Sequence, residues 1–244
     1  MNEKEDKNIF NVMTIRDINQ KGVEKAHSRI MRFLAFPIVS VLVHTPITAN
    51  QVTTFGILSN LIAVLCFASQ NYLFGVMFLF IGHILDYADG SIARYKNQVS
   101  VLTSNFLSRF YHDGSSAFIF TGIGIGLFQE YNNILYLFFG MFTTILQQTT
   151  MYFLEMKNRL LLTYTGIGRI KKINSSFIKK EKVLINLFVL PVDFEIIILV
   201  IFFSTIINKL DVMLLFYTAY FFLRCVVFFI GTYYKLKKTE ANLR

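Results

Sequence analysis

Residues 86–94 read DYADGSIAR and directly follow the apolar run FGVMFLFIGHIL at 74–85. On an α-helix, Asp86, Asp89 and Ala93 fall at i, i+3 and i+7, so they share one narrow face. Two carboxylates at the end of a membrane-length apolar run are costly unless positive charge compensates them. The stretch therefore predicts a helix that carries a functional site at a membrane boundary.

The composition indicates an integral membrane protein. Of the 244 residues, 54% are hydrophobic and 16% are charged, whereas about 25% charged residues is usual for a soluble domain. No charged side chain occurs between Phe33 and Leu85, and charge-free stretches of this length are typical of membrane helices. We predict an all-α integral membrane protein with six transmembrane helices. These spans lie at about 50–69, 72–92, 107–128, 133–154, 191–207 and 212–234.

The segment before the first span is expected to lie on the membrane rather than across it. The basic stretch KAHSRIMR (25–32) precedes FLAFPIVSVLV (33–43), which is too short to cross a bilayer and is interrupted by Pro37. This pattern predicts an N-terminal interfacial amphipathic helix. The predicted organisation is a cytoplasmic segment with this helix (1–45), a membrane domain (46–234) and a cytoplasmic tail (235–244).

The orientation follows from the lysines and arginines. They concentrate in the N-terminal segment, in the connections at 94–109 and 157–182, and in the C-terminal KLKK, while the opposite connections contain Lys209 as their only basic residue. Cytoplasmic loops carry the excess of Lys and Arg. We therefore predict a bacterial inner-membrane protein with both termini and the acidic face on the cytoplasmic side. The net charge of +9 follows from this rule and from anionic head groups, so no nucleic acid partner is predicted.

The acidic face suits a divalent cation. Arg94 is eight residues from Asp86, about 80° around the helix, and is a poor partner for both acids. Hard oxygen ligands favour Mg²⁺ or Mn²⁺, and Gly90 lets a ligand approach the backbone. The alternative is that these charges only end a helix in the head-group layer. That alternative explains Arg94 well, but it does not explain the two acids before it.

The same residues resemble a known family. D-x-x-D-G-x-x-A-R is the first half of the signature of the CDP-alcohol phosphotransferase (phosphatidyltransferase) family. All five positions are filled here, by Asp86, Asp89, Gly90, Ala93 and Arg94. Upstream, TPITANQVT (45–53) resembles the family's T-P-N-x-x-T stretch through Thr48, Asn50 and Thr53.

The second half of the signature departs from the family. After the arginine the family continues with x8-G-x3-D-x3-D, and direct counting puts Thr103, Leu107 and Tyr111 at those places. One extra residue in the connection changes them to Ser104, Ser108 and His112, followed by Asp113. With that extra residue, SNFLSRFYHD (104–113) resembles a branch in which histidine replaces the last aspartate. We prefer this register; the alternative is that His112 is an interfacial side chain bonded to a backbone carbonyl.

The resemblance implies transfer of a substituted phosphate group from CDP-diacylglycerol or a CDP-alcohol to an alcohol acceptor, with release of CMP, in phospholipid synthesis. It implies Mg²⁺ or Mn²⁺ held by Asp86 and Asp89 with Ser108 as a weak ligand, and His112 as general base beside Asp113. The residues expected to contact the nucleotide are Asn50, Thr53, Gly90, Ala93 and Arg94. Expected partners are the donor, the acceptor and membrane lipids, with homodimerisation left open. The alternatives are a catalytically impaired member that binds nucleotide or lipid, and a small transporter.

Two further features concern packing. GIGIG at 122–126 lies in an apolar span without a preceding strand, which predicts close helix packing rather than a nucleotide loop. Arg224 lies near the middle of the sixth span, where an arginine should face the helix bundle or a wet cavity.

Overall fold

The computed structural model describes residues 26–97, 101–165 and 194–241. Regular structure within these ranges is helical throughout, which confirms the all-α class. The elements in chain order are α1 (Ala26–Leu42), α2 (Ala49–Ala68), α3 (Tyr72–Tyr95), α4 (Val101–Arg109), a π-helical turn (Phe110–Ser115), α5 (Phe118–Tyr131), α6 (Ile134–Thr165), α7 (Phe194–Ile206) and α8 (Leu210–Ala241).

Three of these helices are long and apolar enough to cross a membrane. In the described part of the chain they are Ala49–Ala68, Tyr72–Tyr95 and Leu210–Tyr234, which correspond to the first, second and sixth predicted spans. Ile30–Leu42 and Phe194–Ile206 are apolar but shorter. These helices support an integral membrane protein, while the six-span arrangement stays a prediction.

The predicted third span comprises the end of α4, the π turn and α5. The residues that flank the π turn, Arg109, Ser116 and Ala117, keep right-handed helical dihedral angles, so the turn is a local distortion of the helical backbone. Two serine hydroxyls at this point donate to carbonyls one turn back, Ser115 to Tyr111 at 2.9 Å and Ser116 to His112. Such back-bonding competes with the regular ladder, and it coincides with the polar sequence HDGSS (112–116).

Pro37 lies within α1, and the helix continues through it. The face of α1 on both sides of the proline is held in a core, where Ala35 and Val39 pack with Ala88 and Ile92 of α3. We attribute the continuity to this packing, since it offsets the backbone hydrogen bond that proline removes.

The described residues belong to two compact units. The first unit comprises the chain up to Cys66 together with Phe74–Ser116, and the second comprises Phe67–Leu73 and the chain from Ala117 onward. In the first unit α2 and α3 approach closely, since a Cβ atom added to Gly56 would lie 3.3 Å from the carbonyl oxygen of Gly82.

Lys96 ties the end of α3 to the connection between α1 and α2. Its Nζ donates to the carbonyl oxygens of Leu42 at 3.0 Å, Thr45 at 2.6 Å and Ile47 at 2.6 Å. The three donors of one ammonium group thus serve three carbonyls between the end of α1 and the start of α2. In the sequence analysis Lys96 was only one of the basic residues that indicate the cytoplasmic side. The structure shows that it also holds the segment before α2.

In the second unit, α5 and α6 meet at Gly124 and Gly140. A Cβ atom on Gly124 would lie 2.9 Å from the Cα atom of Gly140, and beside this contact the hydroxyls of Thr121 and Thr144 are 2.9 Å apart. Small residues let helix backbones approach in this way. The interpretation of GIGIG as a packing motif is confirmed.

Replacement of Gly140 by alanine is expected to destabilise the protein by about 1–3 kcal/mol through overpacking. The new methyl group would lie 2.6 Å from the carbonyl oxygen of Phe120, which is backbone and cannot move aside cheaply. The matched control is Gly231→Ala, where no atom lies within 4 Å of the added carbon and alanine should be neutral or stabilising by up to about 1 kcal/mol. Thermal unfolding in detergent measures both variants, and equal midpoints would contradict the packing argument.

Arg224 lies inside the second unit. It is only 5% exposed, and its guanidinium carbon is 5.2 Å from the ring centroid of Phe228 and 6.0 Å from that of Phe221. This confirms that Arg224 faces the interior of its unit, where two aromatic faces stabilise the cation.

Candidate active site

Asp86 and Asp89 project from the second half of α3 within the first unit, and their spacing of three residues puts them on one face of the helix. Asp89 Oδ2 accepts a hydrogen bond of 2.5 Å from Thr53 Oγ1 on α2. The Thr53 hydroxyl, which is buried, also lies 3.1 Å from the carbonyl oxygen of Ala49. Because a hydroxyl has one proton, the contact with Asp89 fixes the carboxylate against α2.

His112 brings a third ionisable group to the same place. Its Nε2 atom lies 3.5 Å from Asp86 Oδ1, with 46% of the histidine side chain and 15% of the aspartate side chain exposed. The structure thus brings together Asp86, Asp89 and His112, which are separated by 26 residues or fewer in sequence, at a position open to solvent or ligand on the histidine side.

The π turn decides which side chains face this site. Tyr111 is fully buried and its ring lies 3.4 Å from the Cβ position of Gly56 on α2. His112, the next residue, points out of this core toward Asp86. In a π turn the rings close from i to i+5, so constant α-helical counting fails through it. The turn begins at Phe110, after Ser104 and Ser108, so it bears only on the last position of the signature.

Buried polar contacts hold the π turn. Asn60 Nδ2 on α2 donates to Ser115 Oγ at 3.2 Å, and both side chains are buried. Ser115 in turn donates to the carbonyl oxygen of Tyr111 at 2.9 Å. Sequence analysis did not single out Asn60, and the only available signal was an amide in the middle of an apolar span.

The structure describes the side chains of the predicted residues Asn50 and Ser108, but not that of Asp113. Asn50 lies at the start of α2, and its Nδ2 donates to Thr103 Oγ1 at 3.3 Å. Ser108 is half-buried on α4. The side chain of Asp113 lies outside the described part of the structure, so its predicted role beside His112 stays a prediction.

Gly90, Ala93 and Arg94 continue α3 beyond the acids. The Arg94 Nη1 atom lies 3.5 Å from the Cβ position of Gly90, and Nη2 donates to Ser91 Oγ at 3.2 Å. Ala93 is half-buried and adds no polar group. The Arg94 guanidinium therefore lies beside Gly90, where the absence of a side chain leaves space on the helix surface.

The side chains around Asp86 and Asp89 limit how the predicted cation could be bound. Among the described residues, no group of three or more His, Cys, Asp or Glu side chains is arranged to hold a metal ion. Mg²⁺, however, is commonly bound by one or two carboxylates and completes its coordination with water and substrate phosphates. Asp86 and Asp89 on one face fit that type of site, and they do not fit a closed site made only of protein ligands.

A comparison with known families matches the part of the chain that contains the acidic pair. Residues 46–105 match the family model described as CDP-alcohol phosphatidyltransferase. The matched segment contains Thr53, Asp86, Asp89 and Arg94, and it ends before Ser108 and His112. It covers less than half of the chain. A comparison with curated proteins found no match.

Proposed function

We propose that the protein is a CDP-alcohol phosphotransferase that transfers a substituted phosphate group from a CDP-linked donor to an alcohol acceptor and releases CMP. The observation that carries this proposal is the contact between His112 and Asp86 at 3.5 Å. It joins a proton-accepting group to the acidic helix that lies in the segment similar to the transferase family. The donor would be CDP-diacylglycerol or a CDP-alcohol, and the product a phospholipid or a related membrane lipid.

The reaction would proceed in one displacement at the β-phosphorus of the donor. The acceptor oxygen forms a new bond to that phosphorus, and the bond from the phosphorus to the bridging oxygen breaks. CMP leaves with the bonding electron pair, and the acceptor proton passes to His112. Histidine is the side chain that most often serves as a general base, and the Asp86 carboxylate would orient the ring and stabilise its protonated form.

Asp86 and Asp89 would hold Mg²⁺ or Mn²⁺, with Ser108 as a weak additional ligand. When bound, such a cation neutralises the diphosphate and the charge that develops on the leaving group. Thr53 contributes by fixing the Asp89 carboxylate in one orientation. Asn50, Gly90, Ala93 and Arg94 would line the nucleotide side of the site.

The most direct test is CMP release by the purified protein with several CDP-linked donors and alcohol acceptors in the presence of Mg²⁺. We expect CMP release that depends on both the donor and the acceptor. Tight donor binding without CMP release for any pair would favour the impaired, binding-only alternative. Absence of donor binding altogether would reject the proposal.

A topology measurement tests the proposed location at the cytoplasmic leaflet of a bacterial inner membrane. With six spans and the Lys/Arg asymmetry, a reporter fused after Arg244 should be cytoplasmic and one inserted at Asn132 should be external. An inserted alkaline phosphatase and a fused fluorescent protein distinguish the two sides. The reverse pattern would place the acidic helix on the side that lacks CDP-activated substrates and would reject the enzyme proposal.

A further inference from the structure

Lys96 is held firmly at the end of α3. Its backbone N–H donates to the carbonyl oxygen of Ile92 at 2.9 Å, and Ile92 is fully buried. The next residue, Asn97, has a positive φ of 51°, which is the left-handed conformation that commonly follows the last residue of a helix. The backbone from which the lysine side chain extends is therefore fixed by the helix and its core.

The ammonium group of Lys96 fixes the path of the connection between α1 and α2. The carbonyl oxygens of Leu42, Thr45 and Ile47 lie 2.6–3.0 Å from its Nζ atom. A lysine ammonium has three donors on one nitrogen and no acceptor, so these contacts can use all of its donors. Because the three carbonyls come from the end of α1 and from the connection, one side chain holds both.

The connection continues directly into the first turn of α2. The backbone N–H of Gln51 donates to the hydroxyl oxygen of Thr48 at 3.3 Å, and the Gln51 side-chain oxygen accepts from the backbone N–H of Thr48 at 2.8 Å. This reciprocal pair is a capping box, which satisfies two N–H groups at the start of a helix. Ile47, which Lys96 binds, is the residue directly before this cap.

The start of α2 also carries Thr53, whose hydroxyl donates to the Asp89 carboxylate of α3 at 2.5 Å. Asp89 and Lys96 are seven residues apart on α3, so their side chains point within about 20° of each other around the helix. α3 thus holds the beginning of α2 at two places on one face, through a carboxylate and, two turns later, through an ammonium group. A shift of the connection at Lys96 would move Thr53 relative to Asp89.

We propose that Lys96 is a positioning residue for the Asp89 carboxylate: it holds the segment before α2 and thereby places the Thr53 hydroxyl that orients Asp89. Its effect on the binding of a cation and a CDP-linked donor rests on the proposed function. Groups that hydrogen-bond to a metal ligand orient that ligand and tune its affinity for the metal. A change at Lys96 should therefore reach the Mg²⁺-dependent part of donor binding.

The experiment measures the CDP affinity of the full-length protein in phosphatidylcholine nanodiscs, with and without Mg²⁺. Lys96→Met keeps a long side chain without its donors, and Thr53→Val keeps the shape of threonine without its hydroxyl. Loss of a partner of a metal ligand typically costs about 10–100-fold in metal affinity, and we expect a loss of this size in the CDP affinity of each variant with Mg²⁺. The affinity without Mg²⁺ should not change.

The double variant Lys96→Met/Thr53→Val separates positioning from an independent effect of the lysine. If Lys96 acts through Thr53, the double variant should have the same affinity as Thr53→Val, because coupled residues do not give additive effects. Losses that multiply would assign Lys96 another route, such as attraction of the nucleotide by its charge, and would overturn the proposal. The matched control is Lys237→Met, since Lys237 is exposed on α8 and should leave both affinities unchanged.

Hydrogen exchange of residues 43–54 without nucleotide tests the positioning apart from the proposed function. Lys96→Met should exchange faster in this segment, whereas Lys237→Met should not. Unchanged exchange in Lys96→Met would overturn the positioning role and leave the transferase proposal intact. If Lys96→Met exchanges faster but the wild-type protein shows no Mg²⁺-dependent CDP binding, the transferase proposal fails and the positioning of α2 by Lys96 stands.

Lys96→Arg decides the question if Lys96→Met does not fold. This variant keeps the positive charge, but its donors are spread over a planar fork instead of converging on one nitrogen. We expect a smaller loss of Mg²⁺-dependent CDP affinity than in Thr53→Val, together with faster exchange of the same segment. Affinity and exchange equal to those of the wild-type protein would contradict positioning by a single ammonium group.

Discussion

His112→Ala should lower the rate of CMP release by about 10²–10⁴-fold while the affinity for the CDP-linked donor is retained. The reason is that, in the proposed mechanism, His112 would accept the acceptor proton in the transition state, whereas other residues would hold the donor. A change in kcat without a matching change in donor affinity identifies this role. The measurement combines steady-state CMP release with direct donor binding by the same preparation.

The matched control for this prediction is His44→Ala. His44 is exposed in the same unit, and it follows α1 rather than facing the acidic helix. We expect an unchanged rate for this variant. If His112→Ala keeps full turnover, the proposed base is wrong. If the wild-type protein shows no turnover with any acceptor while it binds the donor, the chain is better explained as an impaired member of the family.

Asp86→Asn and Asp89→Asn should each abolish Mg²⁺-dependent nucleotide binding while the protein still inserts and folds. Asparagine keeps the size of the side chain and an oxygen that can accept the bond from Thr53, but it lacks the negative charge that a hard cation needs. Loss of an outer-sphere partner of a metal ligand typically costs about 10–100-fold in metal affinity, and loss of a direct ligand should cost at least that much. CDP binding measured with and without Mg²⁺ tests the prediction.

Asp211→Asn is the control for the two acid variants. Asp211 lies in the first turn of α8, in the second unit, and its replacement should leave nucleotide binding unchanged. Mg²⁺-dependent CDP affinity that is the same in Asp86→Asn, Asp89→Asn and the wild-type protein would reject the metal site. Each of the two variants removes one charge and almost no volume. Their thermal unfolding midpoints distinguish a folding defect from a binding defect.

Much of the helical architecture could be predicted because it depends on local composition. A charge-free stretch long enough to cross a bilayer must satisfy its backbone hydrogen bonds internally, and a helix does so. α2, α3 and the apolar part of α8 therefore appear where the sequence placed spans. The π turn within the third predicted span was not predicted, because its contacts include the hydrogen bond from Asn60 of α2 to Ser115, which joins distant parts of the chain.

The candidate site, too, could be predicted only in part from the sequence. The sequence placed Asp86 and Asp89 on one face of a helix, since the 3.6-residue period requires it, and singled out Thr53 and His112 through the family resemblance. It did not give the bond between Thr53 and Asp89, the bonds from Lys96 to the connection before α2, or the position of Arg32 beside Tyr87. These contacts join residues on different helices, and helical periodicity carries no information about the neighbour that a face will meet.

The sequence by itself determined the helical class, the membrane character of the apolar helices, and the shared face of Asp86, Asp89 and Ala93. Only the tertiary structure decided that Tyr111 is buried and that His112 lies 3.5 Å from Asp86. The physical reason is that adjacent residues on a helix point about 100° apart, so a one-residue change of register exchanges the buried side chain and the side chain that faces Asp86. The π turn carries both residues, and it packs against α2 through Tyr111 near Gly56 and through Ser115 and Asn60, which lie far apart in the sequence.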